Sequence, residues 1–332
     1  MEQRALGATG LMVSRLGLGL AALGRPGYIT LGHSTDLSGG RDVEALCGHA
    51  YGVLDAAWAS GVRYIDAARS YGRAEEFLAG WIASRGLGAA PIVVGSKWGY
   101  IYTAGWQTNA AQHEVKDHSL ATLDRQYAES RACLGQWLRI YQIHSATIAS
   151  GVLNKPDVLD RLAALKQEAG LLIGLTLSGP DSWSMLVRAT GVERDGRPLF
   201  DVVQATWNVL EPSLSALLFQ ARQAGMGVII KEALANGRLT DRNADPAFAG
   251  KRFVLDREAA RLGCTIDQLA LAAVLDRPWA DCVLSGAATA AQVRSNVGAL
   301  AVPFDAEARD ALGWLAEPAG QYWTTRGQLP WN

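Results

Sequence analysis

The chain has 332 residues, 49% of them hydrophobic and 19% charged, and its formal net charge is -1. This composition is typical of a globular protein and excludes an intrinsically disordered chain. Because the charge is nearly balanced and forms no basic stripe, we do not expect nucleic acid to be a partner.

The four cysteines lie far apart in the sequence and form no CxxC or Cys/His spacing. This pattern argues against a zinc site and against a disulfide-bonded scaffold, so no metal is expected. The N-terminus lacks the apolar core of a secretion signal, and no apolar run approaches the ~18 residues that are needed to span a bilayer. We therefore expect a cytoplasmic protein that has no membrane partner.

The first 40 residues contain a hairpin pattern and a long loop. Short apolar stretches over residues 4–20 are separated by Gly-Ala-Thr-Gly at residues 7–10, which predicts a β-hairpin leading into a strand at 14–20. Residues 24–40 are rich in glycine and show no periodicity, so they predict a loop. Loops of this length in a compact domain are usually functional or mobile.

From residue 43 onward, short apolar strands alternate with longer amphipathic helices. After the strand at 14–20, further strands are predicted at 62–66, 91–95, 138–143, 171–177, 201–204, 226–230 and 282–284. Helices are predicted at 43–59, 74–84, 116–134, 157–168, 182–189, 213–223, 252–262, 266–275 and 290–297.

This alternation predicts eight strand-then-helix units with parallel strands, because each helix must return the chain to the same edge of the sheet. Eight units suit a closed barrel. A doubly wound sheet is the alternative, but no GxGxxG turn follows the first strand. The predicted fold is an α/β (β/α)₈ TIM barrel with an N-terminal β-hairpin and a C-terminal helix and tail, in which residues 1–332 form a single domain.

A polar residue follows most of the predicted strands, at the end where parallel barrels place their active sites. These residues are Asp66, Lys97, His144, Ser178, Gln204, Lys231 and Ser285. Any one of them could cap a helix or lie in a solvated loop, since caps and turns use the same residue types. Their recurrence at equivalent strand ends favours a functional site.

Three of these residues, together with Tyr71, predict proton-transfer chemistry. A buried aspartate and a buried lysine on neighbouring strands can neutralise each other, which lowers the cost of burying both Asp66 and Lys97. The lysine ammonium is expected to lower the pKa of the Tyr71 phenol, which is normally near ~10. His144 can then donate a hydrogen bond to a substrate carbonyl oxygen.

The same residues lie in motifs that resemble those of the aldo-keto reductase family. Residues 64–75 (YIDAARSYGRAE) are similar to its pattern of an aspartate, a Tyr-Gly pair and a glutamate. Residues 95–99 (GSKWG) and 141–145 (YQIHS) resemble its lysine and histidine motifs. Residues 203–208 (VQATWN) resemble its nicotinamide segment, and 284–287 (LSGA) with Gln292 and Asn296 resemble its nucleotide segment. The matches run in order from about residue 4 to residue 300.

The resemblance implies a (β/α)₈ barrel, bound NAD(P)H and reversible carbonyl reduction. It implies a catalytic tetrad of Asp66, Tyr71, Lys97 and His144, in which Tyr71 donates the proton. The cofactor-binding residues that it implies, or that lie at matching strand ends, are Ser178, Gln204, Trp207, Asn208, Lys231, Ser285, Gly286, Ala287, Gln292 and Asn296. Trp207 is expected to stack on the nicotinamide, although a core aromatic fits it equally well. Lys231 could face the pyrophosphate or solvent.

The sequence departs from the family pattern after the last strand, where many members carry a lysine or arginine for the 2′-phosphate of NADPH. This chain has Ala288 and Thr289 there, and Arg294 one turn later. A missing cation removes a charge-assisted contact. NADP(H) is the cofactor that the family resemblance implies, and NAD(H) remains open.

The expected partner is a small-molecule carbonyl or sugar substrate, bound by a monomer or a small homo-oligomer. The candidate pocket walls are Tyr28, Trp98, Tyr100, Tyr102, Trp106 and the tail at 321–326. Arg69, beside the tetrad, could meet an anionic substrate or lie in solvent. The alternative function is a nucleotide-sensing regulatory subunit on the same fold, as in the potassium-channel β subunits. A metal-dependent hydrolase is disfavoured, because His144 is the only histidine at a predicted strand end.

Overall fold

The computed structural model describes residues 1–37, 39–88 and 90–332. Its strands, in chain order, are β1 (Gln3–Ala5), β2 (Met12–Ser14), β3 (Leu16–Gly19), β4 (Tyr64–Asp66), β5 (Val93–Trp98), β6 (Tyr100–Tyr102), β7 (Glu114–Lys116), β8 (Leu138–Ala146), β9 (Leu172–Leu177), β10 (Glu193–Arg194), β11 (Arg197–Pro198), β12 (Val202–Thr206), β13 (Gly227–Lys231) and β14 (Cys282–Ser285). Eight of them, β3, β4, β5, β8, β9, β12, β13 and β14, pair in parallel and close into a barrel, with β14 hydrogen-bonded to β3.

The helices are α1 (His33–Asp36), α2 (Val43–Ala59), α3 (Ala74–Ser84), α4 (Leu120–Leu134), α5 (Pro156–Ala169), α6 (Ser182–Thr190), α7 (Ser215–Gln223), α8 (Ala249–Leu262), α9 (Ile266–Leu275), α10 (Ala290–Gly298), α11 (Ala306–Gly313) and α12 (Ala319–Gly327). At least one helix follows each barrel strand along the chain. Most neighbouring helices pack side by side, and α10 packs on α2. The predicted (β/α)₈ barrel is confirmed.

Local signals set several helix ends. The side chains of Asp42 and Thr289 accept hydrogen bonds from backbone N–H groups in the first turns of α2 and α10. Pro156 stands in the first turn of α5, where its missing N–H costs nothing, and Gly170 ends that helix in the left-handed conformation. These residue types explain why the sequence predicted the helix bounds well.

Several bounds shift by two or three residues, and in three places the structure divides or reassigns a predicted segment. The strand predicted at 14–20 is divided at Arg15 between β2 and β3. The helix predicted at 116–134 begins at Leu120, because residues 114–116 pair with β6 as an antiparallel strand. The glycine-rich loop at 24–40 contains the short helix α1.

The N-terminal hairpin closes one end of the barrel. Leu6, in the turn between β1 and β2, is fully buried and packs in a cluster with Tyr64, Ile140, Ile229 and other residues near the strand starts. The backbone N–H of Ala8 donates to the carbonyl of Gly225, just before β13. This end is therefore filled with side chains, and the opposite end is the one available for a site.

The C-terminal tail lies on the loop between β3 and α2. Asn332 and Tyr28 exchange two backbone hydrogen bonds, at 3.1 and 3.2 Å. The Trp331 indole stacks on the His113 ring with the centroids 3.8 Å apart. Both contacts hold the tail against segments that follow the C-terminal ends of barrel strands. None of the helices in the described parts of the chain is long and apolar enough to cross a bilayer.

Candidate active site

Four of the predicted site residues meet at the C-terminal end of the barrel. Asp66 ends β4, Lys97 lies in β5, His144 lies in β8, and Tyr71 lies in the turn that leads to α3. The Lys97 Nζ forms an ion pair with Asp66, donates to the Ala67 carbonyl at 2.9 Å and lies 3.4 Å from the Tyr71 hydroxyl. The sequence prediction that these residues lie together is therefore supported by their geometry.

The Asp66 carboxylate is held from several sides. Its Oδ1 accepts from Gln204 Nε2 at 2.8 Å and from the Tyr64 hydroxyl at 3.2 Å, while Oδ2 pairs with Lys97. Asp66 and Lys97 are each no more than 2% exposed. Because hydrogen bonds and an opposite charge surround both ions, their burial is compensated.

Two glycines bring the turn at Tyr71 against the loop after β3. A Cβ atom at Gly24 would lie 2.2 Å from the Tyr71 carbonyl oxygen, and one at Gly72 would lie 2.3 Å from the Gly24 oxygen. Gly72 has a φ of 61°, which other residues rarely adopt. Close packing and a positive φ therefore require glycine after Tyr71, and this tight turn fixes the position of the Tyr71 side chain.

His144 is directed by an irregularity in its strand. The pairing of β8 with β9 shifts register between Ile143 and Ala146, and Ser145 has a φ of 52°. Bulges and left-handed non-glycine residues re-aim side chains and concentrate at functional sites. The His144 ring packs edge-on against the rings of Tyr71 and Tyr100, with centroids 5.5 and 4.9 Å away.

The electrostatics of the tetrad differ from the sequence expectation. Burial, followed by the negative charge of Asp66, raises the pKa of Tyr71 well above its ordinary value. The expectation that Lys97 lowers the pKa of Tyr71 is wrong, because burial and the charge of Asp66 outweigh the ammonium. Burial and the charge of Lys97 hold the pKa of His144 well below its ordinary value. Near neutral pH, Tyr71 is a protonated phenol and His144 a neutral imidazole.

A cavity of about 990 Å³ begins at the tetrad and extends to α10. Tyr71, His144 and Asp66 line one part of it, and Ser285 and Asn296 line another. Eight of the ten predicted cofactor-binding residues face it: Ser178, Gln204, Lys231, Ser285, Gly286, Ala287, Gln292 and Asn296. No group of His, Cys, Asp and Glu within residues 1–37, 39–88 and 90–332 is arranged to hold a metal ion.

Comparison with known proteins places this barrel in a family. The model of the family described as "Aldo/keto reductase family" matches residues 16–313. The chain belongs to the aldo/keto reductase family. This membership confirms the resemblance found in the motifs.

Individual relatives are distant. The chain is 28% identical to the aldo-keto reductase ausK of Emericella nidulans over 242 residues, which cover 70% of this chain and 56% of the relative. It is 32% identical to pyridoxal 4-dehydrogenase of Microbacterium luteolum over 154 residues, 40% of each protein. The matched segments thus span only about half the length of these curated relatives. A solved aldo-keto reductase of Bacillus halodurans in its holo form superposes with a TM-score of 0.73 at 22% identity, covering 97% of this chain and 99% of that one.

Two predicted cofactor-binding residues of this aldo/keto reductase lie outside the cavity. The Trp207 indole packs edge-on against Trp279 and donates to Ser215 Oγ at 2.8 Å, so the prediction that it stacks on the nicotinamide is corrected. Asn208 is fully buried and donates to the Glu232 carbonyl and the Tyr322 hydroxyl. The cause is strand alternation at the end of β12: Gln204 points into the barrel, so Trp207, three residues later, points outward.

Lys231 lines the cavity. Its Nζ donates to Thr206 Oγ1 at 2.7 Å and to Ser178 Oγ at 3.3 Å. Burial lowers the pKa of Lys231 to about 8. The neighbouring Glu232 pairs with Arg326 at 2.6 Å; although burial acts to raise the pKa of Glu232, the charges of Arg326 and Lys231 bring it down to about 2.

The segment at the start of α10 has the properties of a phosphate cradle. Asn296 Nδ2 donates to Ser285 Oγ at 2.7 Å, and that oxygen accepts from the Ala287 backbone N–H at 3.3 Å. A Cβ atom at Gly286 would meet nothing within 4 Å, so the backbone there borders open space. A helix N-terminus beside open backbone suits an anionic group. The residues present therefore fit a dinucleotide that extends from the tetrad to α10.

The sequence analysis missed Arg25, in the loop after β3. Arg25 is 3% exposed, lines the cavity, pairs with Glu114 at 3.0 Å and lies 5.2 Å from the centre of the Tyr71 ring. Its Nε atom has no hydrogen-bond partner among the described residues. A glycine-rich loop carries no periodicity, so no signal in the sequence could have located this guanidinium beside the tetrad.

The predicted pocket walls separate into two groups. Tyr28 and Tyr100 line the cavity, as does Trp331 from the tail. Trp98 is fully buried in the core, and Trp106 packs on Phe77.

Arg69 neither faces the cavity nor lies free in solvent. Its guanidinium pairs with Glu75 at 2.6 Å and with Glu129 at 3.0 Å. Glu75 also accepts hydrogen bonds from Ser96 and Ser130. Arg69 therefore belongs to an ion network that fastens α3 and α4 to the barrel.

Proposed function

We propose that the protein is an NAD(P)H-dependent oxidoreductase that reduces small-molecule aldehydes or ketones to alcohols, or catalyses the reverse oxidation. The observation that carries this proposal is the cluster of Asp66, Lys97, Tyr71 and His144 at one end of a cavity whose other end is the cradle before α10. Family membership supports the reaction class.

Tyr71 is the proposed general acid. The raised pKa keeps the phenol protonated near neutral pH, which is the form that can give a proton to a carbonyl oxygen. Lys97, at 3.4 Å, holds the phenol oxygen and stabilises negative charge that develops on it when the proton leaves. Asp66 keeps that lysine charged and in place.

His144 is proposed to orient the substrate carbonyl. Its Nδ1 lies 3.4 Å from the Ser70 hydroxyl, which can donate to it. In the neutral imidazole this arrangement leaves the proton on Nε2, so that nitrogen donates a hydrogen bond to the carbonyl oxygen. The ring therefore binds and polarises the substrate without exchanging a proton.

The cofactor is proposed to lie along the cavity, and a bound NAD(P)H would supply the hydride. Ser178 and Gln204 would hold its nicotinamide end, Lys231 its pyrophosphate, and Ser285 with Asn296 the segment beside α10. Lys231 is a partly buried cation in the same cavity, and such a charge attracts phosphate. Family membership favours NADP(H) as the default, and NAD(H) is the alternative.

The proposed substrates are small carbonyl compounds, including sugars. Tyr28, Tyr100 and Trp331 give the cavity flat apolar walls, and the Arg25–Glu114 pair adds a charged donor and acceptor. Such a lining suits a ring that carries oxygen substituents. The relative named pyridoxal 4-dehydrogenase carries a substrate of that kind in its name.

The test is the consumption of NADH and NADPH with a panel of aldehydes, sugars and quinones, by the wild type and by Tyr71→Phe. We expect turnover by the wild type and a loss of roughly 10²–10⁴-fold in kcat for the variant, with nucleotide affinity and melting temperature unchanged. Full activity in Tyr71→Phe would refute the assigned role. Tight nucleotide binding without turnover of any carbonyl would instead favour the nucleotide-sensing alternative.

A further inference from the structure

We infer that the carboxylate of Asp36, in the loop after β3, makes the nucleotide end of the cavity selective for NAD(H) over NADP(H). The inference rests on the proposed nicotinamide-dependent function and reverses the default that family membership gives. It depends on the position of Asp36, on the ion pair that already engages its neighbour Arg242, and on the other charges around these two residues.

Asp36 borders the segment proposed to hold the adenosine half of the cofactor. It is the last residue of α1, is 9% exposed and lines the same cavity as Ala288 and Gln292. Gln292 Nε2 donates to Asp36 Oδ1 at 3.1 Å. The backbone N–H of Ala288 donates to Gln292 Oε1 at 2.7 Å, so these residues form one connected wall.

Arg242, a cation that lines the same part of the cavity, is already paired with Asp36. Its two terminal nitrogens donate to the two oxygens of Asp36 at 2.6 and 2.7 Å, a bidentate pair. Gly32 makes room for it, because a Cβ atom at that position would lie 2.9 Å from Arg242 Nη1. A 2′-phosphate would have to break this pair before it could use the guanidinium, and it would then lie against the carboxylate.

The remaining charges at this end are unfavourable to a second phosphate. The charged side chains that line it are Asp36, Asp241, Asp256 and Asp267 against Arg242 and Arg252. Arg252 Nε is paired with both oxygens of Asp256, at 3.0 and 2.9 Å. Residues 286–289 contain no lysine or arginine.

The acidic side chains at this end thus outnumber the basic ones by two. A 2′-phosphate would add about two further negative charges, whereas a ribose 2′-hydroxyl is neutral and can donate a hydrogen bond to a carboxylate. A carboxylate that accepts from the ribose 2′-hydroxyl is the arrangement that other dinucleotide folds use to select NAD.

The experiment measures dissociation constants of NAD⁺ and NADP⁺ by isothermal titration calorimetry on the full-length protein, with no substrate present. We expect the wild type to bind NAD⁺ at least about tenfold more tightly. Asp36→Asn keeps the shape and removes the charge, so the preference should shift by about tenfold towards NADP⁺. Asp55→Asn is the matched control, because Asp55 forms a similar two-nitrogen pair with Arg85 away from the cavity; its ratio should stay within about twofold.

The outcomes separate this inference from the proposed function. If the wild type binds NADP⁺ as tightly as NAD⁺ or more tightly, or if neither Asp36→Asn nor Asp36→Ser shifts the ratio, the role of Asp36 is refuted while nicotinamide dependence stands. If neither nucleotide binds, both proposals fail. Should both Asp36 variants fail to fold, the wild-type ratio still decides.

Discussion

The two ends of the barrel each bury an aspartate, but the two carboxylates have different partners. At the N-terminal end, Asp281 is fully buried and accepts from the backbone N–H groups of Gly7 and Val228 at 2.9 and 3.0 Å, and from Arg222 at 2.7 Å. At the C-terminal end, the Asp66 carboxylate is bound, among the residues that the structure describes, by side chains, and its close partners are Lys97, Gln204 and Tyr64.

This difference in partners indicates that Asp281 stabilises the fold, whereas Asp66 positions a side chain of the candidate site. Asp281 ties the hairpin to β13 through main-chain groups, so its hydrogen bonds are part of the fold itself. Asp66 holds the side chain of Lys97, which in turn faces a phenol and an open cavity. Changes at the closed end should therefore cost stability alone, and changes at the open end should also cost activity.

The largest effect is expected for Lys97→Met. Removal of the ammonium leaves the Asp66 carboxylate buried without its partner, which should lower the free energy of unfolding by about 3–5 kcal/mol. It also removes the group that stabilises charge on Tyr71, so kcat should fall by roughly 10²-fold or more. Urea unfolding and steady-state kinetics measure the two losses. A Lys97→Met protein of normal activity would show that the open end is structural only.

The closed end is tested by Asp281→Asn. The substitution keeps one acceptor oxygen but removes the charge that Arg222 faces, so the free energy of unfolding should fall by about 1–3 kcal/mol. The value of kcat for the folded protein should change by less than about twofold. A large loss of kcat at full stability would mean that Asp281 at the closed end also supports the chemistry at the open end.

The pH dependence of nucleotide affinity tests the role of Lys231 at the open end. A lysine is charged below its pKa, so nucleotide affinity that needs its ammonium should be full below pH of about 8 and fall by up to about tenfold per pH unit above it. The charged groups around it are Glu232, Arg326, Lys97 and Asp66. Lys231→Arg, which stays charged at these pH values, should abolish the decline. Titration calorimetry between pH 7 and pH 10 (roughly the window in which this lysine titrates) tests this, and a flat profile in the wild type contradicts the role of the lysine.

The smallest effect is expected for Trp207→Phe. Because the indole packs against Trp279 outside the cavity, nucleotide affinity should change by less than about twofold. Loss of the hydrogen bond to Ser215 and of packing should cost about 1 kcal/mol of stability. Calorimetric binding and thermal unfolding measure both. A tenfold loss of nucleotide affinity would restore the stacking role that the sequence suggested.

Much of the fold could be predicted because its signals are local. The alternation of apolar strands with amphipathic helices located each barrel strand, and the cap residues Asp42, Thr289 and Gly170 explain the helix ends. The bounds failed where a pairing depended on distant residues, as with β7, which forms only because residues 100–102 are beside it. Local patterns do not report such partners.

The sequence by itself determined that Asp66, Lys97, His144 and Lys231 lie at one end of a barrel, since parallel strands that alternate with helices must all end on the same side. Only the tertiary structure decided which side chains face the cavity and how their charges combine. Trp207 points outward, and Arg25 and Asp36 lie in a loop without periodicity. Burial outweighs the ammonium of Lys97 in setting the pKa of Tyr71. Each of these depends on distances between residues far apart in the chain, which no local pattern encodes.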